Sequence, residues 1–302
     1  MGQSNFAKIL NKNKYMYAML IPGVLSVLIF KYFPMYGLVI AFKNYNPFIG
    51  IADSPWVGLD NFKAIFASSD FWQVLRNTLI ISSYKILVGF PAPILLALLL
   101  NEVVHAKFKR TIQSVLYLPH FISWVTLGGI MLTVFSYNGV VNEIIQAFGG
   151  KPVNIFTDVA HFRWVLVWSD VWKGAGWGTI IYLAAITTVD PALYEAAVVD
   201  GAKRWRQVWH ITLPAIKSVI VLLLVLRIGQ LMDSDFEQIL VLQNNLVRSV
   251  SEVFATYVYR VGLGQAQFSF ATCVGIFESV VALVLIASAN RVAKLLGEEG
   301  LY

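Results

Sequence analysis

The sequence predicts an all-α integral membrane protein with six transmembrane helices. Of its 302 residues, 58% are hydrophobic and 13% are charged, and the mean hydropathy is +0.67. Apolar runs of about 20 residues recur along the chain, and each can cross a hydrocarbon core of about 30 Å as a helix. The spans are predicted at residues 15–42, 73–100, 114–136, 163–189, 215–233 and 269–290.

The distribution of Lys and Arg predicts that both chain ends lie in the cytoplasm. An even number of spans places both ends on one side, and cytoplasmic segments are enriched in Lys and Arg. With this orientation, twelve such residues fall in cytoplasmic segments and seven in the longer outer segments. The net charge of +6 is therefore attributed to membrane topology, and nucleic acid is not an expected partner. The cytoplasmic residues are Lys8, Lys12, Lys14, Lys107, Lys109, Arg110, Lys203, Arg204, Arg206, Lys217, Arg291 and Lys294.

The first span is predicted to be a retained helix rather than a secretory signal. Its apolar run continues past Lys31 and Pro34 without an A-x-A-like cleavage site. Beyond it, residues 61–66 show the pattern of an amphipathic interfacial helix, and residues 233–267 form the largest outer loop. The single cysteine, Cys273, excludes a disulfide framework and a cysteine metal site.

A polar segment, residues 191–214, interrupts the apolar pattern between the fourth and fifth spans. It predicts a short helix, a break at Gly201, where glycine accepts a positive φ, and a second short helix. Pro214 then opens the next span. On composition alone, two interpretations are open: an ordinary cytoplasmic loop, or a docking surface for a partner. The candidate docking residues are small or acidic: Glu195, Ala196, Ala197, Asp200, Gly201 and Ala202.

This polar segment resembles the EAA motif of permease subunits of ATP-binding-cassette importers. In that family the loop forms a coupling helix that docks into a cleft on the ATPase subunit. The resemblance therefore implies ATPase coupling for the matching residues here. Two positions depart from the pattern, with Val208 where an aromatic residue is common and Ser218 where a second proline often follows. The matching residues are Glu195, Ala196, Ala197, Asp200, Gly201, Ala202, Leu213 and Pro214.

The resemblance extends over nearly the whole chain. Asn77-Thr78, Pro119 and Pro191 are similar to residues of maltose-type carbohydrate permeases. The N-terminal part resembles the complex-saccharide branch of that family. The segments that carry this second likeness are Phe33-Pro34-Met35-Tyr36-Gly37, Ile40-Ala41-Phe42 and Trp56-Val57-Gly58-Leu59-Asp60-Asn61-Phe62.

The resemblance implies one transmembrane permease domain over residues 1–302, built as the helix bundle of a type I importer in a bacterial cell membrane. The implied partners are a second permease subunit, with a heterodimer favoured, two ATPase subunits, an external solute-binding protein and a saccharide, with an oligosaccharide favoured. The chain contains no G-x-x-x-x-G-K-[ST] phosphate loop. No cofactor is therefore expected on this chain, and ATP and Mg²⁺ are expected on the ATPase.

Polar and aromatic residues within the spans are candidates for the substrate path, because ionisable groups in hydrocarbon usually face inward. Asp170 and Lys173 are spaced to neutralise one another, and Arg227 is a candidate to pair with Glu278. For Lys31 and Lys85, sequence spacing alone suggests no pairing. Trp168 and Trp172 can stack on sugar rings, or they can pack against lipid and neighbouring helices. The path candidates are Trp168, Trp172, Asp170, Lys173, Arg227 and Glu278.

Three other classes of function bear on these residues: a membrane enzyme, a channel or secondary transporter, and a sensor or scaffold whose loop binds some other cytoplasmic protein. A membrane enzyme would need a catalytic constellation, but the four histidines are scattered without a shared spacing. An ATP-independent secondary transporter or channel could use Asp170, Arg227 and Glu278 as a relay, and it stays open as the alternative. The polar segment at residues 191–214 separates the two transport classes, because a stand-alone transporter has no need of an ATPase-docking loop.

Overall fold

The computed structural model describes residues 12–232, 236–295 and 297, and the regular elements in this part of the chain are helices joined by turns and loops. The predicted cytoplasmic Lys8 and the start of the predicted outer loop, residues 233–235, lie outside the described residues. The helices in the first half are α1 (Lys14–Phe42), α2 (Gly50–Asp53), α3 (Asp60–Ala67), α4 (Ser69–Asn101), α5 (Ala106–Phe121), α6 (Trp124–Val134) and α7 (Val140–Ala147). Those in the second half are α8 (Phe162–Thr187), α9 (Pro191–Val199), α10 (Arg204–Ala215), α11 (Lys217–Gly229), α12 (Phe236–Leu242), α13 (Arg248–Ser251), α14 (Phe254–Val258) and α15 (Phe268–Leu295).

Among the described residues, three helices, α1, α4 and α15, are each long and apolar enough to cross a membrane. The count of candidate spans rises to six if each of three bent helix pairs is one span. These pairs are α5 with α6, bent by 102°, α8 with α9, bent by 72°, and α10 with α11, bent by 63°. The all-helical membrane fold agrees with the sequence, while the six-span count and the orientation stay predictions.

The span predicted at residues 114–136 is not one continuous helix. The chain leaves the helical conformation at Ile122 and Ser123 and turns by 102° between α5 and α6. Pro119 has no N–H group to continue an α-helical ladder, and it lies in the 3₁₀ turn that ends α5. Ser123 then caps α6, because its Oγ accepts a hydrogen bond from Thr126 N at 3.2 Å.

The chain divides into two compact units, and the first comprises Met1–Ala67 and Val261–Ile276. Within it, Asn61 Nδ2 donates to the carbonyl oxygens of Ala41, at 2.8 Å, and Lys43, at 3.0 Å. Cys273 is buried, and its thiol lies 3.2 Å from the same Ala41 oxygen. The predicted short helix at residues 61–66 is confirmed as α3, with Ile65 on its buried side.

The second unit, Ser68–Arg260 with Phe277–Tyr302, holds the larger core. Helix α8 passes through two buried clusters, contributing Leu166 to one and Leu183 and Ile186 to the other. The first cluster joins α8 to α6 and α12, and the second joins it to α4 and α11. Because α8 also carries Asp170 and leads into α9, it connects the middle of this unit with the polar segment.

Helix α8 lies close against α5 at Gly176. A Cβ atom added there would lie 2.0 Å from Leu116 O, which leaves room only for glycine. Gly174 and Gly178, which flank Gly176 in α8 with the spacing of a G-x-x-x-G packing motif, have different surroundings. Gly178 faces Pro93 at 3.1 Å, whereas no atom lies within 4 Å of a Cβ added at Gly174. The closest of these three approaches is therefore at Gly176, between the two glycines of the motif.

Gly176→Ala is expected to destabilise the protein, and Gly174→Ala is expected to leave its stability unchanged or slightly higher. Overpacking of this kind costs about 1–3 kcal/mol, whereas alanine in an open helical position favours the helix. The thermal midpoint of each variant in detergent, followed by fluorescence-detected size exclusion, measures the difference. Equal midpoints for the two variants would contradict the close approach of α8 to α5.

Candidate functional site

The polar segment begins with a well-capped helix. Asp190 precedes α9, and its Oδ1 accepts a hydrogen bond from Ala192 N at 2.9 Å. Pro191 occupies the first helical position, where a missing N–H group costs nothing. The start of α9 is therefore fixed by local sequence.

The end of α9 is a Schellman motif centred on Gly201. Gly201 N donates to Val198 O at 3.0 Å, and Ala202 N donates to Ala197 O at 2.8 Å. Gly201 has a φ of +73°, in the left-handed region that glycine accepts without strain. The predicted break at Gly201 is confirmed, and the predicted second helix follows as α10.

Side-chain contacts hold α9 and α10 together. Tyr194 OH lies 2.9 Å from the hydroxyl oxygen of Thr212, which is buried. Gln207, also buried, donates from Nε2 to Ala202 O at 3.0 Å. Tyr194 and Ile211 pack against the buried cluster that includes Leu183 and Ile186 of α8. The segment is therefore a defined unit attached to the end of α8.

The surface of the polar segment, α9 and the residues that follow it, combines acidic, small and apolar groups. Glu195, Ala196, Asp200, Gly201 and Pro214 are exposed, while Ala197, Ala202 and Leu213 are partly buried. Beside them, the exposed apolar residues Val198 and Val199 retain 62% and 87% of their accessible surface. An apolar patch of this kind in a polar segment is typical of a protein-docking surface.

A second candidate region is a cavity of about 360 Å³ beside α8. Its wall includes Asp170 of α8 and Arg227 of α11, whose Oδ2 and Nη2 atoms are 3.3 Å apart. The side chains are 17% and 38% exposed, respectively. Other pairings were predicted from the sequence, Asp170 with Lys173 and Arg227 with Glu278. Glu278 lies partly buried in α15, outside the described wall of this cavity.

Lys173 stabilises the break between α5 and α6. Its Nζ donates to His120 O at 2.9 Å and to Ile122 O at 2.7 Å. It also lies 5.5 Å from the ring centroid of Trp124. A bent helix pair leaves carbonyl groups without helical partners, and this ammonium group supplies the missing donors. The contacts give Lys173 a structural explanation, and its place on the substrate path stays a prediction.

Trp168 and Trp172 line a different cavity, of about 410 Å³, on another side of α8. The remaining wall is mainly apolar, with Met131, Val134 and Phe135 among its residues. A sugar site needs hydrogen-bonding groups around an aromatic surface, and Ser169 is the wall residue with a polar side chain besides the two indole groups. The surroundings favour packing over sugar contact for these tryptophans.

A set of hydrogen bonds on the predicted outer side, here called the clamp, joins α4 and α8 to the loop at residues 245–254. This loop contains the short helix α13. Asn77, in α4, donates from Nδ2 to Ser249 O at 3.0 Å and to Glu252 O at 3.2 Å. Arg163, in α8, donates to Asn77 Oδ1 at 2.8 Å and to Val250 O at 3.0 Å. From the sequence, Asn77 stood out only because it is similar to a residue of maltose-type permeases, and Arg163 was not predicted to be its partner.

An ion pair reinforces the same loop. Arg260 contacts both carboxylate oxygens of Glu252, at 2.6 and 2.9 Å, and this hydrogen bonding raises the pKa of the Arg260 guanidinium. Nearby, a polar cavity of about 310 Å³ is lined by Asp70, Gln73 and Arg248 with this pair. A rigid, charged surface of this kind is suited to recognising a partner protein.

Comparison with known proteins identifies the family. Residues 89–298 match the family described as "Binding-protein-dependent transport system inner membrane component". The chain belongs to this family. The permease is 49% identical to Protein LplB of Bacillus subtilis (strain 168), over 97% of this chain and 92% of that protein. It is 52% identical to the polygalacturonan/rhamnogalacturonan transport system permease protein YteP of the same strain, over 96% and 91% of the two chains.

A solved structure supports the same membership. The permease matches a chain in the crystal structure of a bacterial ABC transporter involved in the import of the acidic polysaccharide alginate. The TM-score is 0.90 at 42% identity, over 96% of this chain and 98% of that one. A further match, to the alginate transporter in complex with an alginate pentasaccharide-bound periplasmic protein, has a TM-score of 0.90 at 41% identity. The resemblance to importer permeases is confirmed, and the permease is a multi-pass membrane protein.

Proposed function

We propose that this permease forms half of the translocation path of an ATP-driven saccharide importer in a bacterial cell membrane. The observation that carries the proposal is the continuity of α8, which lines the cavity at Asp170 and leads into the exposed surface of α9. A movement imposed on α9 can therefore reach the cavity through packed helices. The saccharide class is supported by the polysaccharides and oligosaccharides named for the relatives.

The proposed assembly contains this permease, a second and different permease, two ATPase subunits and an external solute-binding protein. ATP and Mg²⁺ belong to the ATPase subunits. With both chain ends in the cytoplasm, α9 faces the ATPase, and Glu195, Ala196, Val198 and Val199 form the docking face. On the opposite side, the clamped loop and the Glu252–Arg260 pair are available to the loaded binding protein.

Transport in this scheme needs no covalent chemistry by the permease. ATP-driven closure of the ATPase subunits moves α9, and the two permeases alternate between outward-open and inward-open states. Differential binding of ATP to these states biases their populations.

Affinity purification of this chain from its native membranes in mild detergent, followed by mass spectrometry, tests the proposed assembly. A second multi-span permease and an ATPase are expected to co-purify. A chain that purifies alone, folds stably and mediates uptake without an ATPase would instead favour the secondary transporter.

A further inference from the structure

The Arg227 guanidinium is only lightly engaged by protein groups. Among the described residues, its hydrogen bonding consists of the single 3.3 Å contact between Nη2 and Asp170 Oδ2. The Arg260–Glu252 pair, in contrast, has two contacts of 2.6 and 2.9 Å. Because arginine carries five N–H donors in a fork that matches a carboxylate, the long single contact leaves most of the capacity of Arg227 for another acceptor.

The surroundings of Arg227 give space for such an acceptor. The cavity of about 360 Å³ is within the size range of small-molecule sites. Three of its wall residues, Gly89, Gly174 and Gly178, contribute no side chain, and no atom lies within 4 Å of a Cβ added at Gly174. Gln230 adds an amide to the same wall. The cavity therefore offers a cation, an amide and open volume together.

Charge explains why Asp170 stands beside Arg227. An unpaired arginine within a membrane span costs several kcal/mol on insertion scales, so a counter-ion is needed in the empty state. A ligand carboxylate in bidentate contact would be a stronger partner than the single contact at 3.3 Å. Asp170, which is 17% exposed, can then be solvated from the cavity.

We infer that Arg227 binds a carboxylate of the transported saccharide in exchange for Asp170, so that this permease is selective for acidic saccharides. Arg227 is the specificity-determining residue, and Asp170 is the resident counter-ion that the substrate displaces. The inference rests on the proposed function, because it assigns the substrate class at the path of that same importer.

The test uses the complete importer, with its binding protein, in proteoliposomes containing ATP. The acidic probes are oligosaccharides of galacturonate and of alginate, and the neutral probes are the same oligosaccharides after reduction of their carboxyl groups. Arg227→Gln is compared with Asp170→Asn and with the variant that carries both substitutions. The double variant leaves neither an unpaired cation nor an unpaired anion in the cavity, so it controls for misfolding of the single variants. Initial uptake rates are measured with the binding protein loaded to saturation.

In Arg227→Gln and in the double variant, the uptake rate of acidic oligosaccharides is expected to fall by about tenfold to a hundredfold, because one charged hydrogen-bonding partner is removed. The uptake rate of neutral oligosaccharides is expected to stay the same. Asp170→Asn is expected to lose less acidic uptake than Arg227→Gln, because Arg227 loses its resident counter-ion but the substrate carboxylate can still neutralise it. If the binding protein rejects the reduced sugars, the contrast between Asp170→Asn and the double variant decides on the acidic probe alone.

Three results would overturn the inference. The first is an uptake rate of acidic saccharides in the double variant equal to that of the wild type. The second is an equal loss of this uptake in Asp170→Asn and Arg227→Gln. Either result would mean that the Asp170–Arg227 pair is only structural. The third is a wild-type importer that carries neutral saccharides only, which refutes acidic selectivity and leaves the proposed function intact. A complete importer that carries no saccharide with ATP would refute the proposed function itself.

Discussion

Gly201→Glu is expected to reduce saccharide uptake by about tenfold or more, because it prevents the ATPase from docking on α9. The substitution places a bulky acid beside the exposed Val198 and Val199 patch, where a partner has to approach closely. It also forces a residue with a Cβ into the left-handed region, at a cost of about 1–2 kcal/mol. Retention of the ATPase on the purified permease and ATP-driven uptake measure the effect.

Gly149→Glu is the matched control for this prediction. Gly149 ends α7 in the same Schellman geometry, with a φ of +78° and hydrogen bonds of 2.9 Å from Gly149 N and Gly150 N. No atom lies within 4 Å of an added Cβ at Gly149 or Gly201. Both variants therefore carry similar backbone strain. Equal retention of the ATPase by both would contradict docking at α9.

Arg163→Met is expected to loosen the clamped loop and to reduce the stimulation of ATP hydrolysis by the loaded binding protein. The change removes hydrogen bonds of 2.8 Å to Asn77 Oδ1 and 3.0 Å to Val250 O. Asn77 is 1% exposed, and a buried polar group without its partner costs about 1–3 kcal/mol. Amide hydrogen exchange over residues 245–254 should accelerate by about tenfold to a hundredfold.

Arg248→Met serves as the comparison for the clamp. Arg248 contacts Asn245 within the same loop, and that contact does not tie the loop to α4 or α8. Exchange in this variant should stay close to the wild-type rate. Equal acceleration in the two variants would show that Arg163 has no special part in holding the loop.

The elements that the sequence predicted well are those set by local composition. The span at residues 163–189 corresponds to α8, and the break at Gly201 follows from the conformational freedom of glycine. The break between α5 and α6 was missed because hydropathy continues unchanged through it. The local signals, Pro119 and the capping residue Ser123, were present but were given no weight against the apolar run.

Side-chain pairings between helices were beyond sequence reasoning. Spacing along one helix suggested Asp170 with Lys173, whereas Asp170 contacts Arg227 on α11. Lys85 had no evident partner, yet its Nζ lies 2.5 Å from Oε1 of Gln238, 153 positions later, in a segment predicted as loop. Gln238 in turn donates to Leu166 O at 2.7 Å on α8. Which faces meet depends on tertiary packing that no local pattern encodes.

The most direct test of the proposed function is uptake of a labelled oligosaccharide by proteoliposomes that contain the purified complete importer. Uptake should require both ATP at the ATPase side and loaded binding protein at the opposite side, and should cease when either is withheld. Uptake that proceeds without ATP, driven by a proton or sodium gradient, would contradict the importer and establish the secondary transporter in its place.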